Sequence, residues 1–109
     1  MELIRNEEEG LIFFEVKMNI NELKEMLQRG EEFEIYIDGQ SFFCQPKYDS
    51  LLEDGGYSHT VIFDSNDQDN ATEIFVGSTD EVLKYCFVGK YTFKDNLHQF
   101  EFNPDCYIV

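Results

Sequence analysis

The strongest helical pattern in the chain lies between residues 20 and 29. Four apolar residues recur there at helical spacing, namely Ile20, Leu23, Met26 and Leu27. Asn19 is a suitable N-cap, and Glu22 stands three positions later, as a capping box requires. Gly30 follows the last turn and can take the left-handed conformation that ends many helices. The pattern predicts an amphipathic helix with one buried stripe.

The residues after this helix predict a β-hairpin. Residues 32–37 and 40–45 flank Asp38 and Gly39, a pair that favours a two-residue type I′ turn. The register of such a turn places five apolar residues on one face, Phe33, Ile35, Ile37, Phe42 and Cys44. The other face then carries Glu34, Tyr36, Ser41 and Phe43. Because the turn and the apolar pattern dictate the same register, the two signals support each other.

Apolar, partly β-branched runs indicate three further strands, at residues 11–16, 58–63 and 72–77. The polar residues 64–70 are expected to join the last two strands as a hairpin with a long, mobile tip. A short apolar piece at Leu3 and Ile4 precedes the first strand, and Gly10 could supply a hairpin turn between them.

A second helix is expected to begin after Ser78, which forms a capping-box pair with Glu81. Its buried face would contain Val82, Leu83, Cys86 and Phe87. Gly89 would end it. The remaining residues fit a short helix at 92–98 or a strand at 100–102, and the pattern does not separate these alternatives.

These elements predict one α+β domain that spans residues 1–109. We expect an antiparallel sheet of four to five strands with two to three helices packed on it. The segments 21–30 and 32–39, the helix after Ser78 and the Val-Gly-Lys run at 88–90 resemble a loose group of small acidic proteins of Gram-positive bacteria and their phages. The resemblance implies an α+β fold and a bacterial or phage source, without catalytic residues. The residues before Asn19 depart from this group.

The charge of the chain narrows the classes of function. There are 8 Lys and Arg against 23 Asp and Glu, so the net charge is −15. Such a protein repels phosphate, which argues against direct binding to nucleic acid. No apolar run is long enough to span a membrane, and the acidic N-terminal residues do not form a signal peptide. Three widely spaced cysteines, Cys44, Cys86 and Cys106, favour the cytoplasm, and the first two are expected in the core.

Candidate catalytic and metal-binding residues are few. His59 and His98 lie in no recognisable motif, and we expect them to be surface or hydrogen-bonded histidines. The acidic run from Asp64 to Asp69 offers oxygen ligands suited to Ca²⁺, but an EF-hand would need Gly where Asp69 stands and Glu where Phe75 stands. A solvated acidic loop is therefore expected, with no enzymatic activity, metal or cofactor.

The acidic residues are unevenly distributed along the chain. Between Lys47 and Lys84 there is no Lys or Arg. Eight carboxylates in that stretch form the candidate partner-binding site, Glu53, Asp54, Asp64, Asp67, Asp69, Glu73, Asp80 and Glu81. We expect them to gather around one end of the molecule, where they would attract a basic partner.

Three interpretations of this charge stay open. The preferred one is a non-enzymatic inhibitor that imitates DNA phosphates and blocks a basic nucleic-acid-handling protein, since phage anti-CRISPR and anti-restriction proteins are similar in size and acidity. The second is an immunity protein that neutralises a toxin nuclease. The third is a solvated domain without electrostatic recognition. Tyr36 and Phe43, on the outer hairpin face, could also anchor a partner or a homodimer.

Overall fold

The computed structural model describes residues 2–8, 11–17, 19–67 and 69–103, with side chains described from residue 19 onwards. The strands are β1 (Glu2–Glu8), β2 (Leu11–Lys17), β3 (Phe33–Ile37), β4 (Gln40–Pro46), β5 (His59–Asp64), β6 (Thr72–Ser78) and β7 (Glu101–Phe102). The α-helices are α1 (Ile20–Arg29), α2 (Thr79–Lys84) and α3 (Phe93–Asn96). Two short 3₁₀ helices cover Tyr48–Ser50 and Leu97–Gln99.

The strands form one antiparallel sheet, and the expected α+β fold is confirmed. Five strands, in the order β7-β3-β4-β5-β6, are extended at the β7 edge by the β1–β2 hairpin, which gives seven strands in all. The four to five strands that we expected correspond to the five strands from β7 to β6. No helix in the described part of the chain is long and apolar enough to cross a membrane.

The β3–β4 hairpin has the predicted register. Ile37 pairs with Gln40, and Ile35 pairs with Phe42. Asp38 and Gly39 have φ angles of 49° and 78°, the positive values that a type I′ turn needs. The five apolar residues of the inner face are all buried. Local turn chemistry and burial therefore select one arrangement of these strands.

Both predicted capping boxes are present. In α1 the backbone N–H of Glu22 donates to the Asn19 side chain at 2.9 Å, and Gly30 ends the helix with φ of 82°. In α2 the Ser78 backbone N–H donates to the Glu81 carboxylate at 2.9 Å. Each box satisfies backbone donors that a helix N-terminus would otherwise leave unpaired.

The expected length of α2 is wrong, because the helix ends at Lys84 and not near Gly89. Tyr85 is extended, with φ of −67° and ψ of 133°, so the next residues leave the helical path. Cys86 is consequently exposed, which overturns its expected place in the core, whereas Cys44 is fully buried. Cys106 lies outside the described residues.

The structure also shows which elements form near the two ends of the described chain. The strand expected at 11–16 is confirmed as β2, and β1 extends through residues that we expected to be a polar break. Gly10 lies outside the described residues. At the other end both alternatives occur in succession, since α3 and a 3₁₀ turn precede the short strand β7.

The core lies between one face of the sheet and the helices. Leu23, Met26 and Leu27 from α1 and Val82 and Leu83 from α2 are buried against the sheet. The ring of Phe87 is central to an aromatic cluster, with centroids 4.8–5.4 Å from those of Phe42, Tyr85, Phe93 and Phe100. This core fixes the β5–β6 hairpin and α2, which carry most of the candidate acidic site.

Candidate protein-binding surface

The eight candidate carboxylates lie at two places, not at one end of the molecule as expected. The tip cluster, at the β5–β6 turn, consists of Asp64, Asp67, Asp69 and Glu73. The base cluster, near the opposite end of this hairpin, consists of Glu53, Asp54, Asp80 and Glu81. The expectation failed because the acidic stretch of sequence runs from the β4–β5 loop along the whole β5–β6 hairpin to α2. Five residue steps along β5 separate its ends by about 17 Å.

Hydrogen bonds shape the tip cluster. The Asp64 carboxylate accepts from the backbone N–H of Asn66 at 2.9 Å and from its side-chain amide at 2.8 Å. The Asn66 side chain in turn accepts from the Ser41 N–H at 2.9 Å, which ties the turn to β4. Asp67 accepts from the backbone N–H of Asp69 at 3.1 Å. Asp64 and Asp67 therefore stabilise the turn, whereas Asp69 and Glu73 are exposed to solvent.

The base cluster combines residues of the β4–β5 loop with residues of the first turn of α2. Asp54 accepts from the Gly56 N–H at 3.0 Å within the loop that connects β4 and β5. Asp80 and Glu81 occupy the first turn of α2, where the partial positive charge of a helix N-terminus favours acidic residues. The hydrogen bond from the Ser78 N–H holds the pKa of the Glu81 carboxyl below its usual range. This glutamate is therefore negatively charged at neutral pH.

Basic residues neutralise little of this charge. Lys24 Nζ lies 3.4 Å from Asp80 Oδ1. Among the residues with described side chains, the other seven carboxylates of the two clusters form no ion pair with Lys or Arg. The nearby Asp49 is paired with Lys47, which lowers the pKa of that carboxyl. Most of the candidate charge remains available to a partner.

A cleft of about 420 Å³ opens beside the base cluster. Asp54 and Asp80 line it, together with Lys24, Leu52 and Tyr57. The cleft lies where α1, the β4–β5 loop and the start of α2 meet. Because Lys24 pairs with Asp80, the Asp54 carboxylate is left to favour a basic side chain over an anionic ligand in this cleft.

The candidate catalytic and metal-binding residues do not assemble into a recognisable centre. His59 Nδ1 lies 2.7 Å from Ser58 Oγ, but no carboxylate in the described part of the chain hydrogen-bonds to this exposed imidazole. His98 is exposed as well. Within residues 19–67 and 69–103, no three His, Cys, Asp or Glu side chains group as metal ligands. Burial raises the pKa of the Cys44 thiol, which disfavours the thiolate form.

The expected outer-face aromatics are placed as the hairpin register requires. Tyr36 is exposed, and Phe43 is half-buried. The β4–β5 loop carries apolar side chains that are more exposed than Tyr36 and that the sequence pattern did not indicate, namely Tyr48, Leu51 and Leu52. A Leu-Leu pair inside an otherwise polar loop was the available signal, and it fits no helix or strand period.

Comparisons with protein-family models, with curated proteins and with solved structures find no match to this chain.

Proposed function

We propose that this protein is a non-enzymatic inhibitor that binds a basic nucleic-acid-handling protein and covers its phosphate-binding surface. The setting that we propose is the cytoplasm of a bacterial cell, with a phage or another mobile element as the source of the gene. The tip and base clusters would take the place of DNA phosphates. The protein would not contact nucleic acid itself.

The observation that carries the proposal is the largely unneutralised charge at the two ends of the β5–β6 hairpin. The two clusters place eight carboxylates at the ends of a strand about 17 Å long. Duplex DNA carries about ten phosphate charges over the same length. A groove that binds DNA through Lys and Arg would therefore meet a comparable charge, and long-range attraction would speed the encounter.

A salt-dependent pull-down tests the proposal. The tagged chain is incubated with lysate of the cell that encodes it, at low salt and at about 0.5 M NaCl, where the Debye length is roughly 4 Å. We expect capture of a basic nucleic-acid-binding protein at low salt and its loss at high salt. If the captured protein is a toxin nuclease, the immunity-protein alternative is favoured. Empty beads at both salt concentrations would contradict either form of electrostatic inhibition.

Charge-reversed variants identify the surface that binds. Reversal of Asp64 or Asp67 would also remove hydrogen bonds of the turn, so the better variant is Asp69→Lys with Glu73→Lys. The matched control is Asp95→Lys with Glu101→Lys, which changes the net charge equally on α3 and β7. We expect the hairpin variant to bind the captured protein at least about tenfold more weakly than the control. Equal affinity of the two variants would show that net charge alone, and not this hairpin, attracts the partner.

A further inference from the structure

Three large apolar side chains are exposed on the loop between β4 and β5. Tyr48, Leu51 and Leu52 are 57%, 60% and 46% exposed. Burial of such side chains against a partner is favourable, because it removes apolar surface from water. Exposed apolar side chains grouped on one short loop are typical of an interaction site, whereas single scattered ones are ordinary.

Hydrogen bonds hold this loop in one conformation. The Leu52 N–H donates to Gly56 O at 2.7 Å, and the Gly55 N–H donates to Leu52 O at 3.0 Å. Farther out, the Ser58 N–H donates to Ser50 O at 3.1 Å, and Leu51 forms a β-bridge with Tyr57. A partner would therefore bind a preformed loop, which lowers the entropy that association costs.

The loop is also attached to helix α1. The Tyr57 N–H donates to Gln28 O at 2.8 Å. The Tyr57 ring packs so closely on Gly30 that a Cβ atom there would come within 2.5 Å of it. The ring of Tyr48 packs edge-on against Tyr57, with centroids 6.2 Å apart. These contacts fix the base of the loop and leave the two leucines projecting.

Acidic groups surround the exposed leucines. Glu53 and Asp54 follow Leu52 directly, and Asp80 lines the same cleft as Leu52. An apolar centre with a charged rim is the usual arrangement of a protein interface. The surrounding charge selects a basic partner. A symmetric dimer through this loop would bring two base clusters together, and their repulsion opposes it.

We infer that the β4–β5 loop is the docking element of this protein. Leu51 and Leu52 enter an apolar depression on the partner, and the base cluster contacts Lys and Arg side chains around that depression. This inference rests on the proposed function and adds to it. It assigns Leu51 and Leu52 as the apolar anchor of the complex. The base cluster then makes the closest charged contacts with the partner, and the tip cluster attracts the partner at longer range.

A pair of matched variants tests the inference. The first is Leu51→Ser with Leu52→Ser, and the control is Ile74→Ser with Val76→Ser, which removes two other exposed apolar side chains on β6, 39% and 36% exposed. Each is titrated with the purified protein that the wild-type chain captures at low salt. Thermal unfolding of both variants confirms that the fold is retained.

We expect the Leu51 and Leu52 variant to bind at least about tenfold more weakly, and the Ile74 and Val76 variant to bind within about twofold of the wild-type protein. Equal affinity of both variants would overturn the docking loop. In that case, if binding stayed sensitive to salt and to Asp69→Lys with Glu73→Lys, the proposed function would stand. Conversely, weaker binding by the leucine variant with no salt dependence would support the loop and contradict the electrostatic inhibitor. A wild-type chain that captures no protein would overturn both.

Discussion

At the scale of single residues, two structural features position the candidate binding surface. Gly30 combines a φ of 82° with the close approach of the Tyr57 ring. The Ser78 and Glu81 cap fixes the first turn of α2, where two carboxylates of the base cluster stand. Both sites are structural, yet each positions residues that we assign to partner binding.

The Gly30 contact predicts an unequal effect of two alanine substitutions. Gly30 and Gly55 both have positive φ, but nothing lies within 4 Å of a Cβ at Gly55. We expect Gly55→Ala to lower the free energy of unfolding by about 1 kcal/mol through backbone strain alone. Gly30→Ala should cost more, because Tyr57 must also move. Urea denaturation measures both values, and equal costs would contradict the described packing of Tyr57.

The cap of α2 predicts a pH dependence. Since the folded-state pKa of Glu81 is lowered, its stabilising contribution is complete above the usual pKa of glutamate. The contribution is lost as the pH falls through the lowered pKa. We expect Glu81→Gln to destabilise the protein at neutral pH, and the difference from wild type to shrink as the pH falls below about 4.3, the usual pKa of glutamate. Denaturation curves at several pH values measure this. A difference that does not change with pH would contradict the cap.

At the scale of elements, the aromatic cluster joins the segment after α2 to the sheet and to α3. Phe87 lies beyond the end of α2 and contacts four other rings, although it is not part of a regular element. The ring is buried although the chain has left the helical path at Tyr85. The aromatic contacts of Phe87 therefore tie this segment to the sheet and to α3.

Removal of the central ring should destabilise the whole domain. We expect Phe87→Ala to cost about 3–5 kcal/mol, because it removes a buried aromatic side chain and leaves a cavity. Phe87→Leu should cost clearly less, since leucine fills part of that space. Chemical denaturation of the two variants measures the costs. A cost below about 1 kcal/mol for alanine would show that the cluster does not hold α2 and α3 to the sheet.

The helices and strands differ in how far the sequence alone predicts them. The caps of α1 and α2 and the register of β3–β4 depend on residues close together in the chain, so local chemistry determines them. The burial of Phe87 after α2 depends on packing with distant residues such as Phe42. The same distinction applies to the site, because the charge of each carboxylate is evident from sequence, whereas its place at the tip or the base depends on the path of the β5–β6 hairpin.

At the scale of the whole molecule, the net charge of −15 should make stability depend on salt. Like charges repel more strongly in the compact state than in the unfolded chain. We expect the melting temperature to rise between low salt and about 0.5 M NaCl, as screening weakens that repulsion. The rise should be smaller for Asp69→Lys with Glu73→Lys, which lowers the net negative charge. A melting temperature that falls with added NaCl would contradict a dominant repulsion.

The most direct test of the inhibitor is competition with DNA. The complex formed at low salt with the captured basic protein is titrated with a short duplex, and release of the acidic chain is followed by fluorescence anisotropy. We expect the duplex to displace the chain completely, because both ligands occupy the same basic surface. A ternary complex of chain, partner and duplex would show that the carboxylates do not take the place of phosphates, and would contradict the account.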